Sequence, residues 1–358
     1  MPLQPPFEIP HSRPWLPGGE IEAIRRVLES GYLGPGSEAA AFESELGRLL
    51  GGLGVVALQS GTSALHLALL ALGVGYGREV VLPSWSCAAL LNAVYYVGAY
   101  PRLADVDPAT GALTPETVHA VLTPAVRAIV SVHPFGHPAP IADLAALGIP
   151  LVEDCAMACG ADYDGHPAGS RGDVAVFSFY ATKVLATGQG GAFASRDPAR
   201  VERVRDLIRH DERESYAVRF NYALSDLPAA LGRVQLSRLP EALRRRRALA
   251  ARYARALEGI PGLRLPDDPK GCHLFYRYVI RTDGESSGLA GIMAESGVEA
   301  KRPVFRPLHR YLGQDPAKFP GTESLNRTAL SIPLYPALSD DQADRVAAAV
   351  RDGVRRPR

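Results

Sequence analysis

Short, nearly continuous apolar runs alternate along the first half of the chain with segments whose apolar residues recur every three or four positions. The runs in "GVVALQSG", "REVVLPSWS", "YPRLADVDP", "RAIVSVHPFG" and "IPLVEDCAM" predict strands ending in turn residues. The intervening "TSALHLALLALG", "AALLNAVYYVGA", "TPETVHAVLT" and "IADLAALG" predict helices. An amphipathic helix over Glu20–Ser30 and a second within "SGYLGPGSEAAAFESELGRLLGG" precede this series. Strands separated by helices of this length build βαβ units, so the predicted fold is α/β with a mostly parallel sheet flanked by helices. From Asp226 to Ile260 the pattern lengthens into a single helix, "PGLRLP" ends it, and "LFYRYVIRT" reads as a strand of a smaller C-terminal α/β domain. The expected division is a large domain over residues 1–240, with 1–15 as an N-terminal arm, and a linking helix and small domain over 241–358.

Charge removes several function classes. The 39 Lys and Arg almost balance the 38 Asp and Glu, which argues against nucleic acid or an anionic membrane as partner, since both select a basic excess. The longest apolar stretch, around Ala88 to Tyr100, is too short to span a bilayer and contains Asn92. The opening "MPLQPPFEIPHSRPW" lacks the apolar core of a signal peptide, so a cytoplasmic location is expected. Four cysteines in 358 residues make no disulfide framework; Cys155 and Cys159 are spaced like metal ligands but lack a second pair, and apolar packing is the favoured reading. The run Arg244–Arg247 reads as the solvated face of its helix.

Candidate chemistry gathers at strand ends, where open α/β sheets bind ligands. In "SGTSALHLAL" a Ser/Gly/Thr turn opens a helix, so free backbone N–H groups and the Thr62 hydroxyl are placed to hold a phosphate; a plain N-cap by Thr62 or Ser63 is the alternative. Asp154 ends a run too apolar to bury a carboxylate without a cationic partner or an open strand end. Ser178 ends the alternating "DVAVFSF", and Lys183 follows five residues later in a loop of small residues. A phosphate cradle, a strand-end acid and a lysine together are the set that pyridoxal phosphate requires.

The chain resembles the nucleotide-sugar aminotransferases of the DegT/DnrJ/StrS type, which are pyridoxal-phosphate enzymes of the aspartate aminotransferase fold (fold type I). The resemblance runs from about residue 13 to the last helix and rests on seven stretches in order: "SGYLGPGSEAAAFE", "LQSGTSALHLALLALGVG", "ADVDPATG", "VEDCAMACGA", "GDVAVFSFYATKVLATGQGG", "FNYALSDLPAALGRVQL" and "LSIPLYPALSDDQ". It implies Lys183 as the Schiff-base lysine, Asp154 as partner of the pyridine nitrogen, and Thr62, Ser63 and Ser178, with Gly61 in the same turn, as phosphate ligands. It further implies that Asn221 reaches the phosphate of a neighbouring subunit, and therefore a homodimer with shared active sites. The reaction implied moves an amino group from L-glutamate to a nucleotide-linked keto sugar.

Several positions depart from the family pattern. Met157 and Cys159 stand where residues able to hydrogen-bond are common, and a thioether cannot donate to the phenolic oxygen of the cofactor. Cys87 occupies the position that stacks on the pyridine ring, with Trp85 two residues before it on the same face if the strand continues that far. Ala223, Gln189 and Pro303 replace a basic residue, an acid and a histidine. A sugar dehydratase on the same fold is one alternative, against which Lys183 argues, because histidine is usual there in that class. A non-catalytic regulatory relative is the other. His133, His137, Arg306 and His309 are left open between structural and ligand-facing roles.

Overall fold

The computed structural model describes residues 7–268 and 270–355. Its main sheet is built from β1 (Gly54–Leu58), β2 (Glu79–Pro83), β3 (Tyr100–Ala104), β4 (Val126–Val132) and β5 (Leu151–Asp154), then, after a small hairpin of β6 (Asp162–Tyr163) and β7 (His166–Pro167), from β8 (Val174–Ser178) and β9 (Gly191–Ser195). The seven strands lie in the order β1-β9-β8-β5-β4-β2-β3. All neighbours are parallel except β9, which runs against both β1 and β8. The continuous apolar runs follow from burial on both faces: every residue of β5, Asp154 included, is buried.

This order decides where chemistry can sit. Because β9 is the one reversed strand, its first residue, Gly191, lies beside the last residues of its neighbours, pairing with Leu58 on one side and Ser178 on the other. The ends of β1, β5 and β8 therefore share one edge of the sheet with the start of β9. Helix α1 (Glu20–Ser30) and α2 (Ser37–Leu49) precede the sheet, and α3 (Gly61–Ala71) follows β1 at that edge. Helix α3 is buried from Ser63 to Leu69, which accounts for apolar residues all around it.

The helix expected over 226–260 spans Asp226–Leu257 and contains residue 240 in its interior. It ends early because Glu258 turns to a ψ of 140° and Gly259 takes a left-handed φ of 71°. Beyond it lies a three-stranded antiparallel sheet of β10 (Leu263–Arg264), β11 (Tyr278–Thr282) and β12 (Ala329–Ile332). The strand expected in "LFYRYVIRT" forms only in its second half. Phe275 has a φ of 56°, and the carbonyls of Phe275 and Tyr276 accept hydrogen bonds from Arg246 Nη1 in place of a neighbouring strand. Arg246 corrects the reading of its run as a solvated face, since it is 4 % exposed. The N-terminal arm crosses to this smaller sheet: Ile9 bridges to Val298 and is buried against Leu249, Tyr253 and Ile332. Among the described residues no helix is long and apolar enough to cross a membrane.

The amino-terminal helices are tied to the long helix through one carboxylate. Gly36 at the start of α2 has no side chain to cap it, and Asp226 supplies the acceptor instead, taking the N–H of Gly36 at 2.8 Å and of Ala39 at 3.0 Å. Replacing Asp226 with Ala is expected to cost about 2 kcal/mol, because buried N–H donors lose a charged acceptor. Thermal unfolding of the variant should have a lower midpoint, and an unchanged midpoint would remove Asp226 from this role.

Candidate active site

At the shared strand edge lies a cavity of about 250 Å³ lined by Gly61, Thr62, Cys87, Asp154, Ser178 and Lys183, among others. A larger groove of about 990 Å³ between α1, α2 and the long helix is lined by no residue of the seven-stranded sheet, and its Arg233 is already paired with Glu38 and Glu45. Chemistry, not volume, distinguishes the smaller one.

One wall is the start of α3. Ser60 is its N-cap: its Oγ accepts the Ser63 N–H at 3.0 Å and lies 2.8 Å from Ser63 Oγ. That placement differs from the alternative in which Thr62 or Ser63 caps the helix, and it leaves Ser63, expected among the phosphate ligands, buried and turned back on Ser60 instead of facing the cavity. Thr62 and Ser178 both line the cavity, and among the described residues neither hydroxyl has a hydrogen-bond partner. With the unbonded first N–H groups of α3 they form an electropositive cradle for a phosphate. The cradle closes because two glycines let backbones touch. A Cβ on Gly191 would stand 2.3 Å from the Ser60 carbonyl, and one on Gly61 would stand 2.8 Å from Ser178 Cβ.

Asp154 lies on the cavity floor, 4 % exposed. Burial raises its carboxyl above the ordinary value, although the Ala156 N–H, which donates to Oδ1 at 2.9 Å, and the Lys183 charge pull the other way. The strand alternation that presents Asp154 to the cavity sends Glu153 to the opposite face. There Glu153 accepts hydrogen bonds from Gly169, Arg171 and Gly172 N–H and lies 3.0 Å from His133 Nε2. His133 Nδ1 takes the Ala139 N–H, which fixes the proton on Nε2. The buried group His133, Glu153 and Cys155 therefore has its oxygens and ring nitrogens committed to holding loops. Cys155 and Cys159 pack in an apolar cluster, where burial pushes the Cys159 thiol up to about 12.

Lys183 stands in a loop whose ends are clamped by backbone bonds, Phe179 N–H to Gly190 O at 2.9 Å and Thr187 N–H to Phe179 O at 2.8 Å. Its Nζ lies 5.3 Å from the ring centre of Tyr276. Tyr276 is a site residue that reasoning from sequence missed. Burial alone would raise its phenol, but Lys183 and Arg277 outweigh burial and bring it down to about 8. No motif marks it, because it arrives from the distorted half of β11's predecessor segment.

Five further expected positions fall as follows. Cys87 lines the cavity, but β2 ends at Pro83, so strand alternation does not carry to residue 87; Trp85 is buried in another cluster against Gly111. Met157 is absent from the cavity wall and packs on apolar clusters instead. Asn221 is exposed, beside a segment in which Ala223 bridges to Leu58, and does not line its own chain's cavity. His309 is buried, 2.7 Å from Ser84 Oγ and stacked on Phe319.

A family model described as DegT/DnrJ/EryC1/StrS aminotransferase family matches residues 17–351. The chain belongs to that aminotransferase family. Its members are pyridoxal-phosphate-dependent sugar aminotransferases. The family member SpsC of Bacillus subtilis (strain 168), a spore coat polysaccharide biosynthesis protein, is 34% identical over 382 residues, covering 97% of each chain. Among solved structures, the aminotransferase TlmJ from Streptoalloteichus hindustanus superposes with a TM-score of 0.91 at 38% identity, covering 97% of this chain and 98% of that one. DesI, solved in the presence of its TDP-sugar product, gives a TM-score of 0.90 at 32% identity, covering 99% of this chain and 94% of that one.

The cradle supplies its own test within this DegT/DnrJ/EryC1/StrS enzyme. Gly191→Ala places a methyl group where the Ser60 backbone now lies, so the purified variant is expected to retain at least about tenfold less cofactor than wild type. The cofactor-to-protein ratio after dialysis measures this, and an unchanged ratio would show that the two backbones separate freely.

Proposed function

We propose that the enzyme holds pyridoxal phosphate covalently through Lys183 and moves an amino group from L-glutamate to a keto group on a nucleotide-linked sugar. The observation that carries the reading is the opposition, across one small cavity, of a lysine amine and a buried strand-end carboxylate, beside a phosphate cradle with two unpartnered hydroxyls. The donor set fits the cofactor's three demands for an amine, an acid and a phosphate site. SpsC, a polysaccharide biosynthesis protein, and DesI, solved with a TDP-sugar product, support the sugar class.

Each residue has a definable task. Thr62 and Ser178 hydroxyls, with the first N–H groups of α3, hold the phosphate. Asp154 keeps a proton on the ring nitrogen, and in doing so gains the cation that its burial demands. Bound there, pyridoxal phosphate supplies an aldehyde carbon that takes up the amine and a ring that accepts the electrons released when a C–H bond breaks. Lys183 Nζ, once free, takes the proton from the amino-bearing carbon of the donor and returns it to the carbon that gains the nitrogen. Asn221, exposed on its own chain, is assigned to the phosphate of a second subunit in a homodimer with shared active sites.

Two variants test these roles. Lys183→Ala should abolish turnover and the absorbance band of the lysine-bound cofactor; full activity would sink the assignment. Asp154→Asn should lose cofactor while stabilising the cofactor-free chain at pH 7. The sign follows from a folded-state value raised above 3.8: the unfolded chain ionises first, so wild-type stability falls as pH rises through that window. Melting curves of the two cofactor-free proteins should separate at pH 7 and converge as pH falls towards about 4. A variant that melts below wild type at pH 7 would contradict this account.

A further inference from the structure

We infer that a second, smaller cavity on the other side of Lys183 is a carboxylate subsite for the amino donor, with Arg277 and Arg13 as its charged contacts and Arg246 as its cationic floor. The inference rests on the aminotransferase reading and says where the donor's acid group goes.

Four cations, Arg13, Lys183, Arg246 and Arg277, line this cavity, and no Asp or Glu does. Among the described residues none of the four is ion-paired with a carboxylate, in a chain that has 38 acidic residues to offer. The acids bonded to neighbouring side chains are committed elsewhere. Glu20 holds Gln235 Nε2 and the Gly18 N–H, each at 2.9 Å, and Glu299 holds the His11 N–H at 2.9 Å and Lys301 Nζ at 2.8 Å.

Arg246 is the second, independent sign. It is 4 % exposed, spends Nη1 on the carbonyls of Phe275, Tyr276 and Leu334 at 3.2, 3.0 and 3.1 Å, and leaves Nε without a partner. A buried guanidinium with only carbonyl acceptors is under-compensated, and burial draws it down to about 10. A cation placed this way without its counter-ion is poised for an anion that arrives with a ligand. Arg277, whose guanidinium contacts the Tyr276 phenol, is ion-paired with no carboxylate among the described residues and so keeps its charge for that anion. It is half-buried, and its guanidinium lies 5.4 Å from the Tyr276 ring centre.

Size and position choose among anions. The cavity volume is about 20 Å³, room for a water-sized group. A diphosphate carrying a nucleoside on one side and a sugar on the other cannot seat there, whereas a carboxylate oxygen can enter in place of the one water the cavity has room for. Lys183 lines this cavity and the cofactor cavity alike. In an α-amino acid the carboxyl carbon is bonded directly to the carbon that loses its proton, so it lies about 1.5 Å from that carbon. A donor whose reacting carbon is at Lys183 Nζ therefore carries its carboxylate close to that nitrogen, and the arginines that share this cavity with Lys183 are the cations placed to meet it.

The test uses the holoenzyme and two variants that keep the buried arginine, Arg277→Ala and Arg13→Ala, with Arg277→Lys as the conservative comparison. Three quantities are read: the L-glutamate concentration that half-bleaches the cofactor band, the calorimetric Kd of the unreactive probe glutarate, and the KM of the nucleotide sugar. Loss of a charged hydrogen bond at this site should raise the first two by about tenfold or more in Arg277→Ala, and less in Arg277→Lys, with the third unchanged. Arg277→Ala with an intact cofactor band and unaltered glutamate and glutarate constants would overturn the subsite. So would variants in which the nucleotide-sugar constant alone rises. A wild-type enzyme that no amino acid bleaches would instead overturn the aminotransferase reading beneath it.

Discussion

A carboxylate buried at the end of a parallel strand is the constraint around which this structure is arranged. Among the described residues Asp154 has one backbone donor and no arginine or lysine in ion-pair contact; the charge that Lys183 exerts on it acts across the cavity. Such a group is costly to keep ionised until a cation reaches it. Its position is imposed by the sheet: the register pairs Asp154 with Val132 and Val176 at the strand ends, and its side chain, 4 % exposed, meets only the cavity. On the proposed reading a pyridinium nitrogen would answer that demand, and binding of the cofactor would be coupled to stability of the fold through one residue.

The rest of the cavity follows from the reversed strand. With β9 antiparallel, Gly191 can abut Ser60 and bring the start of α3 against the end of β8, so the phosphate cradle is made of backbone and two free hydroxyls. The long helix then delivers Arg246 from below and the N-terminal arm delivers Arg13 from above, both to the far side of Lys183. The lysine thus stands between the cavity proposed for the cofactor and a second cavity whose charged lining is Arg13, Arg246, Arg277 and the lysine itself, with no carboxylate. On the proposed reading that division puts the cofactor on one side and the acid group of its amino donor on the other.

How much of this was legible beforehand depends on the range of the forces involved. The strands ending at Leu58, Asp154 and Ser178 and the helix over Glu20–Ser30 were readable because apolar period is a local signal; Asp154 and Ser178 terminate such runs, and Thr62 and Lys183 lie in the turn segments that follow them, all four lining one cavity. Ser60 was overlooked as the cap, since "SGTS" offers three oxygens and only the turn geometry selects among them. β9 was unreadable in "GGAFAS", where small residues give no period and its place depends on pairing across the sheet. Arg246 looked solvated within a run of four arginines, and only the packing of the small sheet against the long helix shows that it is buried. Tyr276 and Arg277 sit in a segment that sequence pattern assigned to a strand and that hydrogen bonds to Arg246 bend away from one. Met157 and Trp85 were placed by resemblance and by strand alternation, and the structure packs both away from the cofactor cavity.

The central claim is that Lys183, alone among the lysines, carries the cofactor. Treating the purified enzyme with borohydride fixes any imine bond between cofactor and protein, and digestion followed by mass spectrometry locates it. The account predicts the adduct on the peptide that contains Lys183, lost when excess L-glutamate is added before the reductant. An adduct on another lysine, or none in protein that retains the cofactor band, would contradict it.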